Sequence, residues 1–179
     1  MIYRSVKQWV KYCRICSLVM EKINLDPVDL RILDQLQRDV SLSNQDLAVA
    51  VHTSAATCLR RVKRLVDSGV IERRVAILSP RHLGASLTAF AEVSLDRQGA
   101  EHLAAFEARA VTEPMVQQCH RVSPGPDLML VLQLPDMAAY HALVQRLFTQ
   151  DANVRNVKTF FSVHRAKFDT ALPLPEPRS

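Results

Sequence analysis

The chain has 179 residues, 48% of them hydrophobic, four glycines and a formal charge of +5. This excludes a disordered or collagen-like polymer and leaves room for one ordinary domain or two small ones. The charge is lopsided: residues 1–80 carry 13 Lys/Arg against 8 Asp/Glu, a net of +5, whereas residues 81–179 carry 10 of each. A basic N-terminal half suits a polyanionic partner, although a solvated surface carries the same excess for solubility alone.

Residues 1–23 are set apart as an N-terminal extension. Residues 1–19 are short, basic and interrupted by charges, so they lack the apolar core of a signal peptide. Met20 precedes the first clean helix, and the favoured reading is a true start there; a basic arm touching DNA and an appended helix are the alternatives. Cys13 and Cys16 form a CxxC, half a zinc site with no second pair nearby, so no metal site is expected. Cys58 and Cys119 fall in apolar phase as small core residues. Nothing suggests a disulfide framework, and no apolar run approaches the ~20 residues that span a bilayer. The expected compartment is the cytoplasm, with no membrane partner.

Residues 24–74 read as a helix-turn-helix. Asp26 caps a first helix with Pro27 at its first position, Asp29 in its first turn and Leu25 and Leu30 as a staple. Ile32, Leu33 and Leu36 supply its inward stripe. Ser43 caps a second helix, with Asp46 three residues on and Leu42 and Leu47 as a staple. Ser54 caps a third, which runs to a stop at Gly69. On the third helix Cys58, Leu59, Val62, Leu65 and Val66 gather on one side. Ala56, Thr57, Arg60, Arg61 and Arg64 gather opposite, with Lys63 at the edge. Small residues at the helix start let the backbone approach a groove, and arginines bind phosphates or bridge guanine O6 and N7. The layout is that of a reading helix for double-stranded DNA; a solvated amphipathic helix is the bland alternative. Val70–Leu78, with Arg73 and Arg74, is β-prone and is either a wing or an exit strand. Residues 75–85 are read as a linker strand, punctuated by Ser79-Pro80 and Gly84.

From residue 86 to 172 the rhythm changes. Leu87, Ala89, Ala91, Val93 and Leu95 alternate with polar or outward residues as a strand. Gly99–Ala110 reads as a helix, Met115–Val122 and Leu128–Leu134 as strands around Pro124-Gly125-Pro126. Asp136 caps a helix bearing Met137, Tyr140, Val144 and Leu147, and Val154–Val163 is the last strand. The order βαββαβ predicts an α+β, ferredoxin-like antiparallel sheet with both helices on one face. Its other face needs cover, which dimerisation would provide. Residues 173–179, rich in proline, read as a loose tail.

A winged helix-turn-helix followed by a βαββαβ domain resembles the Lrp/AsnC (leucine-responsive, feast/famine) family of bacterial regulators. LDPVDLRILDQLQRD, LSNQDLA and SAATCLRRVKRLVDSGVI resemble its three N-terminal helices. LSPRHLGASLTAFAEVSL, PDMAAYHALVQRLF and NVKTFFSVHRAK resemble its later elements, so the likeness covers residues 24–172. It implies a transcription factor of amino-acid-related metabolism, a homodimer assembling to a tetramer or octamer, with no cofactor. Its DNA-facing positions fall on Ser54, Ala56, Thr57, Arg60 and Arg61. Its effector cleft, between C-terminal domains, binds leucine or another small amino acid. That cleft's loop normally reads SGDxD; here it is Ser123-Pro124-Gly125-Pro126-Asp127, and Met137, Thr159, Phe160 and Phe161 match other positions lining or bordering the cleft. Two prolines remove N–H donors and stiffen the loop, which changes the ligand, weakens it or abolishes the response. His52 stands where the family often has Gly in the turn between helices 2 and 3, so a positive φ is expected there.

Two other functions fit the sequence. A chromosome-wrapping architectural protein would use the same basic helices with little sequence preference. Some proteins on this plan resemble tetrapyrrole decarboxylases, which use histidines; His82, His102, His120, His141 and His164 lie in the second half, but no catalytic motif contains them. No catalytic residue is assigned.

Overall fold

The computed structural model describes residues 23–83 and 87–175. The CxxC, Met20, Gly84 and the last four residues of the tail lie outside the described residues. The described residues divide into two compact units, one formed by those up to Ile77 together with those from Lys167 on, the other lying within Leu78–Ala166.

In the first unit three helices form where the caps place them. Asp26 accepts from the Val28 and Asp29 N–H groups at the start of α1 (Pro27–Arg38), and Asp29 returns a bond to the Asp26 N–H, a complete capping box. Ser43 caps α2 (Asn44–Ala50) and Ser54 caps α3 (Ala55–Asp67). The turn between α2 and α3 contains His52 at φ 55°, the left-handed geometry expected at that position. Asn44 Nδ2 donates to the Ala55 carbonyl across this turn at 2.9 Å, and Arg31 donates to the Val51 carbonyl behind it. Gly69 at φ 77° ends α3. Ile32, Leu33, Leu47, Ala48, Val51, Cys58, Val62 and Leu65 form the core. Burial pushes the Cys58 thiol up, as befits a core cysteine.

Two expectations change here. Residues 72–79, read as a wing or linker strand, form no strand, because an isolated strand leaves its backbone groups unpaired; a 3₁₀ turn, Pro80–Leu83, follows. In the segment read as a loose tail, Leu174 packs against the three-helix core, and residues 176–179 lie outside the described residues.

One carboxylate ties α1 to α3. Asp29 is fully buried, the one buried charged side chain among the described residues. Arg61 Nη1 donates to Asp29 Oδ1 at 2.9 Å and to Asp26 Oδ2 at 2.5 Å, while Arg64 donates to Asp29 Oδ2. Each carboxylate thus both caps α1 and receives a guanidinium from α3.

The second unit is a four-stranded antiparallel sheet in the order β2-β3-β1-β4, with β1 Leu87–Leu95, β2 Val116–Arg121, β3 Leu128–Leu134 and β4 Val154–Phe161. This is the predicted ferredoxin-like arrangement. α4 (Ala100–Ala110) and α5 (Met137–Leu143, continuing as a π-helical turn over Val144–Thr149) cover one face. Ala89, Ala91, Val93 and Leu95 alternate inward with Leu128, Leu130, Leu132 and Leu134, and Phe106 stacks on Phe148 above them. Cys119 lies half-buried against this core, and burial pushes its thiol up to about 11. The other face carries Phe90 opposite Phe160 and Val131, and Glu92 opposite Lys158. Phe90 and Phe160 are 40% and 53% exposed there. Among the described residues no helix is long and apolar enough to cross a membrane.

Asp29→Ala leaves the Arg61 and Arg64 guanidiniums without their shared partner and should destabilise the first unit by about 1–3 kcal/mol, seen as faster amide exchange throughout α1 and α3. Unchanged exchange in α3 would contradict the tie. Burial alone would raise the Asp26 pKa, but the Asp29 N–H and the Arg61 guanidinium outweigh it and hold the carboxyl below its ordinary 3.8. Its contribution is therefore complete well above pH 3.8 and is lost as pH falls through that value towards the lower folded one. Acid titration of the first unit should show this loss, and Asp26→Asn should remove it.

Candidate nucleic-acid interface and effector residues

The burial of α3 fixes which of its residues face outwards. Cys58, Val62 and Leu65 are its buried side chains. At about 100° per residue, the opposite stripe is Ala56, Arg60, Lys63 and Asp67, all exposed. Ser54 lies exposed at the N-terminal end of that stripe and caps the helix; its hydroxyl accepts from the Thr57 N–H at 3.3 Å and donates to the Thr57 hydroxyl at 2.9 Å. Thr57 is half-buried.

Arg61 and Arg64 sit differently from the sequence expectation of one outward basic face. Both turn along the helix flank to Asp29, and Arg61 is only 21% exposed. The Asp26 and Asp29 hydrogen bonds hold Arg61 strongly protonated. Arg64 keeps 49% exposure while bound to Asp29, so one side of its guanidinium stays open to solvent. From sequence Asp26 reads as a cap and Asp29 as a first-turn acid; the matching three-residue spacings, Asp26/Asp29 and Arg61/Arg64, are the signal that pairs them. On the other flank Leu59 and Val66, expected to be inward, are exposed and line an open groove with Ile71, rimmed by Lys63, Arg73 and Arg74.

The expected effector residues are spread along the second unit's sheet. Ser123–Pro124 is a cis peptide and Gly125 has φ 124°. Asp127 is spent on the loop's own anchoring: its N–H donates to the Val93 carbonyl at 2.9 Å and its carboxylate accepts from the Leu95 N–H at 2.7 Å. Phe161 pairs with Ala89, at the other end of β1. Ala89 and Leu95 are six positions apart, about 20 Å of strand. Met137 follows β3 at the Phe161 end, since Leu134 pairs with Leu87. Thr159 and Phe161 face the helices, where Tyr140 meets the Phe161 ring edge-on at 5.1 Å and the Thr159 hydroxyl is buried without a partner. Phe160 faces the opposite, open side of the sheet. The register therefore sets Phe161 and Met137 towards the far end of β1 from the Ser123–Asp127 loop, with Thr159 opposite Ala91 at mid-strand.

Three of the histidines take local partners. His102 Nε2 lies 3.5 Å from a Glu101 oxygen, His120 Nε2 lies 3.0 Å from Gln118 Oε1, and the His141 ring lies 5.6 Å from that of Tyr140.

Comparison with known proteins matches both units. Residues 25–72 match the winged helix-turn-helix DNA-binding family model, and residues 88–172 the Lrp/AsnC ligand binding domain. The chain is 37% identical over 150 residues to an uncharacterized HTH-type transcriptional regulator of Haemophilus influenzae, covering 84% of this chain and 89% of that protein. It is 35% identical to the leucine-responsive regulatory protein of Salmonella typhimurium, over 80% of this chain and 88% of that one. Among solved structures, an AsnC family transcriptional regulator from Agrobacterium tumefaciens superimposes with a TM-score of 0.78 at 34% identity, over 83% of this chain and 96% of that one. A Neisseria meningitidis transcriptional regulator in complex with L-Met gives 0.78 at 31% identity, over 84% and 97%. The capped three-helix unit, the β2-β3-β1-β4 sheet and relatives matched across both place this chain in the Lrp/AsnC family of transcriptional regulators, which join a helix-turn-helix to a ligand-binding domain.

Proposed function

We propose that the protein recognises specific duplex DNA through the outward stripe of α3 and that a small amino acid modulates it. The observation that carries this reading is the division of labour among the cations of α3. Arg61 and Arg64 fix the helix through Asp29, leaving Arg60 and Lys63 exposed on the stripe opposite the core. Ser54, Ala56 and Thr57 lead into that stripe, where small side chains admit a close backbone approach. Arg64, half exposed, and Arg73 and Arg74 beyond the helix end are assigned to phosphates.

Two reading helices about 34 Å apart require two copies. The open sheet face, with Phe90, Phe160, Met129 and Val131 beside the Glu92/Lys158 pair, is the surface assigned to dimerisation. A homodimer, and tetramers or octamers built from it, would also complete an effector cleft by bringing one copy's Ser123–Asp127 loop to another's Met137, Thr159 and Phe161. L-Met, bound by the Neisseria relative, and L-Leu are the first ligands to try. With Asp127 already engaged, the prolines of the loop leave Ser123 and the Gly125 N–H as its free donors towards a ligand carboxylate.

Selection from a random duplex pool at moderate salt, with and without L-Met and L-Leu, tests the reading. It should enrich a two-fold-related motif, and an amino acid should shift its affinity. Sequence-blind retention would instead favour the architectural function. On the enriched duplex Arg60→Ala should cost about 1–3 kcal/mol of binding with no loss of stability. Arg61→Ala should show the reverse emphasis, destabilising α3 first. Equal DNA-binding losses at unchanged stability for both variants would contradict the assignment.

A further inference from the structure

The last described segment of the chain is docked on the DNA-binding unit. Gln37, near the end of α1, uses both ends of its amide on one residue: Nε2 donates to the Leu172 carbonyl at 3.1 Å, and the Leu172 N–H donates to Oε1 at 2.7 Å. This pairing spans 135 positions of sequence. Two residues on, Leu174 packs against the three-helix core. Pro173 and Pro175 flank Leu174 and restrict it to extended geometry, so little freedom is lost on docking. Upstream, the Ala171 N–H donates to Asp169 Oδ1 at 3.0 Å and Lys167 lies 3.6 Å from the same carboxylate, a local turn that starts the segment.

The connectivity gives this docking a consequence. The chain passes from the first unit to the second after Ile77 and returns at Lys167. The two units are thus joined by two covalent links, provided that residues 167–175 stay docked. A single linker leaves tethered bodies free to reorient, whereas a second tie of limited reach removes much of that freedom. Only residues 162–171 separate the end of β4 from Leu172, a reach of at most about 36 Å. The returning link begins five residues beyond the end of β4, the strand that carries Thr159, Phe160 and Phe161, residues matched to the effector cleft.

We propose that residues 167–175 are a strap, gripped by Gln37 and Leu174, that restrains the DNA-binding unit and so preorganises it for specific duplex. The proposal rests on the DNA-binding reading above. The grip consists of two hydrogen bonds and one leucine, slight enough to be released when the end of β4 is disturbed. An effector at β4 would then change DNA affinity by loosening or tightening the strap, without touching α3.

The test uses the full-length protein with Gln37→Ala, which removes both bonds and keeps a strong helix former, and Leu174→Ser, which alters only the strap. Amide exchange at Leu172 is read without DNA; affinities are read on the enriched duplex and on a scrambled duplex of equal length. The Leu172 amide should be protected in the wild type and lose that protection in both variants. Affinity for the enriched duplex should fall about tenfold, about 1.4 kcal/mol, with the scrambled duplex and the salt slope unchanged. A Leu172 amide that exchanges as fast in the wild type as in the variants overturns the strap. So does release of the strap with no change in the ratio of the two affinities. A wild type that enriches no sequence sinks the regulator reading and the preorganisation with it; a protected Leu172 amide in that protein would separate this outcome from a failure of the docking.

Discussion

The buried carboxylate of Asp29 sets the geometry of the DNA-binding unit. An ionised side chain with no solvent contact is tolerated only with its lone pairs filled, and here the Asp26 N–H, Arg61 and Arg64 fill them. Those bonds reach both ends of the problem. They cap α1, and they fix the rotation of α3 about its own axis, because Arg61 and Arg64 lie on one flank and cannot point elsewhere while bound. The rotation decides that Arg60 and Lys63, rather than Arg61, occupy the outward stripe. A hydrophobic contact of equal area would hold the helices together without specifying this angle so narrowly.

Much of this was legible in the sequence. Asp26, Ser43, Ser54 and Asp136 announced four helix starts because capping is local chemistry, decided within three residues. The strict alternation in Leu87–Leu95 and Leu128–Leu134 announced two central strands because one face of each is buried. What escaped was non-local. Helical phase put Arg61 on the outer half of α3, but its partners lie 32 and 35 positions away and turn it along the flank. Leu59 and Val66 read as core because they are apolar, yet the core is narrower than the apolar arc, closed by Cys58, Val62 and Leu65 alone. Gln37 gave no signal at all, since a glutamine near a helix end is ordinarily solvated and its partner is a backbone 135 positions on.

The effector residues show the limit of a different kind. Family likeness assigned a set of positions, and the structure spreads that set along the length of β1, from the Asp127 end past Thr159 to Phe161. The loop's proline substitutions also have a structural counterpart: a cis peptide, a left-handed glycine and an aspartate turned inward to anchor β1. A ligand at such a site would be felt by whichever copies supply its two halves, so assembly and occupancy are thermodynamically linked. The response is bounded by the ligand's differential affinity for the assembly states. A composite site of the kind proposed would couple occupancy to oligomerisation, while the return of the chain from β4 to the helix-turn-helix offers a route inside one protomer.

The most direct measurement is a crystal structure of the protein on an enriched duplex. The account predicts Arg60 within hydrogen-bonding distance of a base edge or phosphate, with Arg61 and Arg64 still on Asp29. An Arg61 that has left Asp29 for the DNA, or an α3 whose Arg60 stripe faces away from the groove, would contradict it.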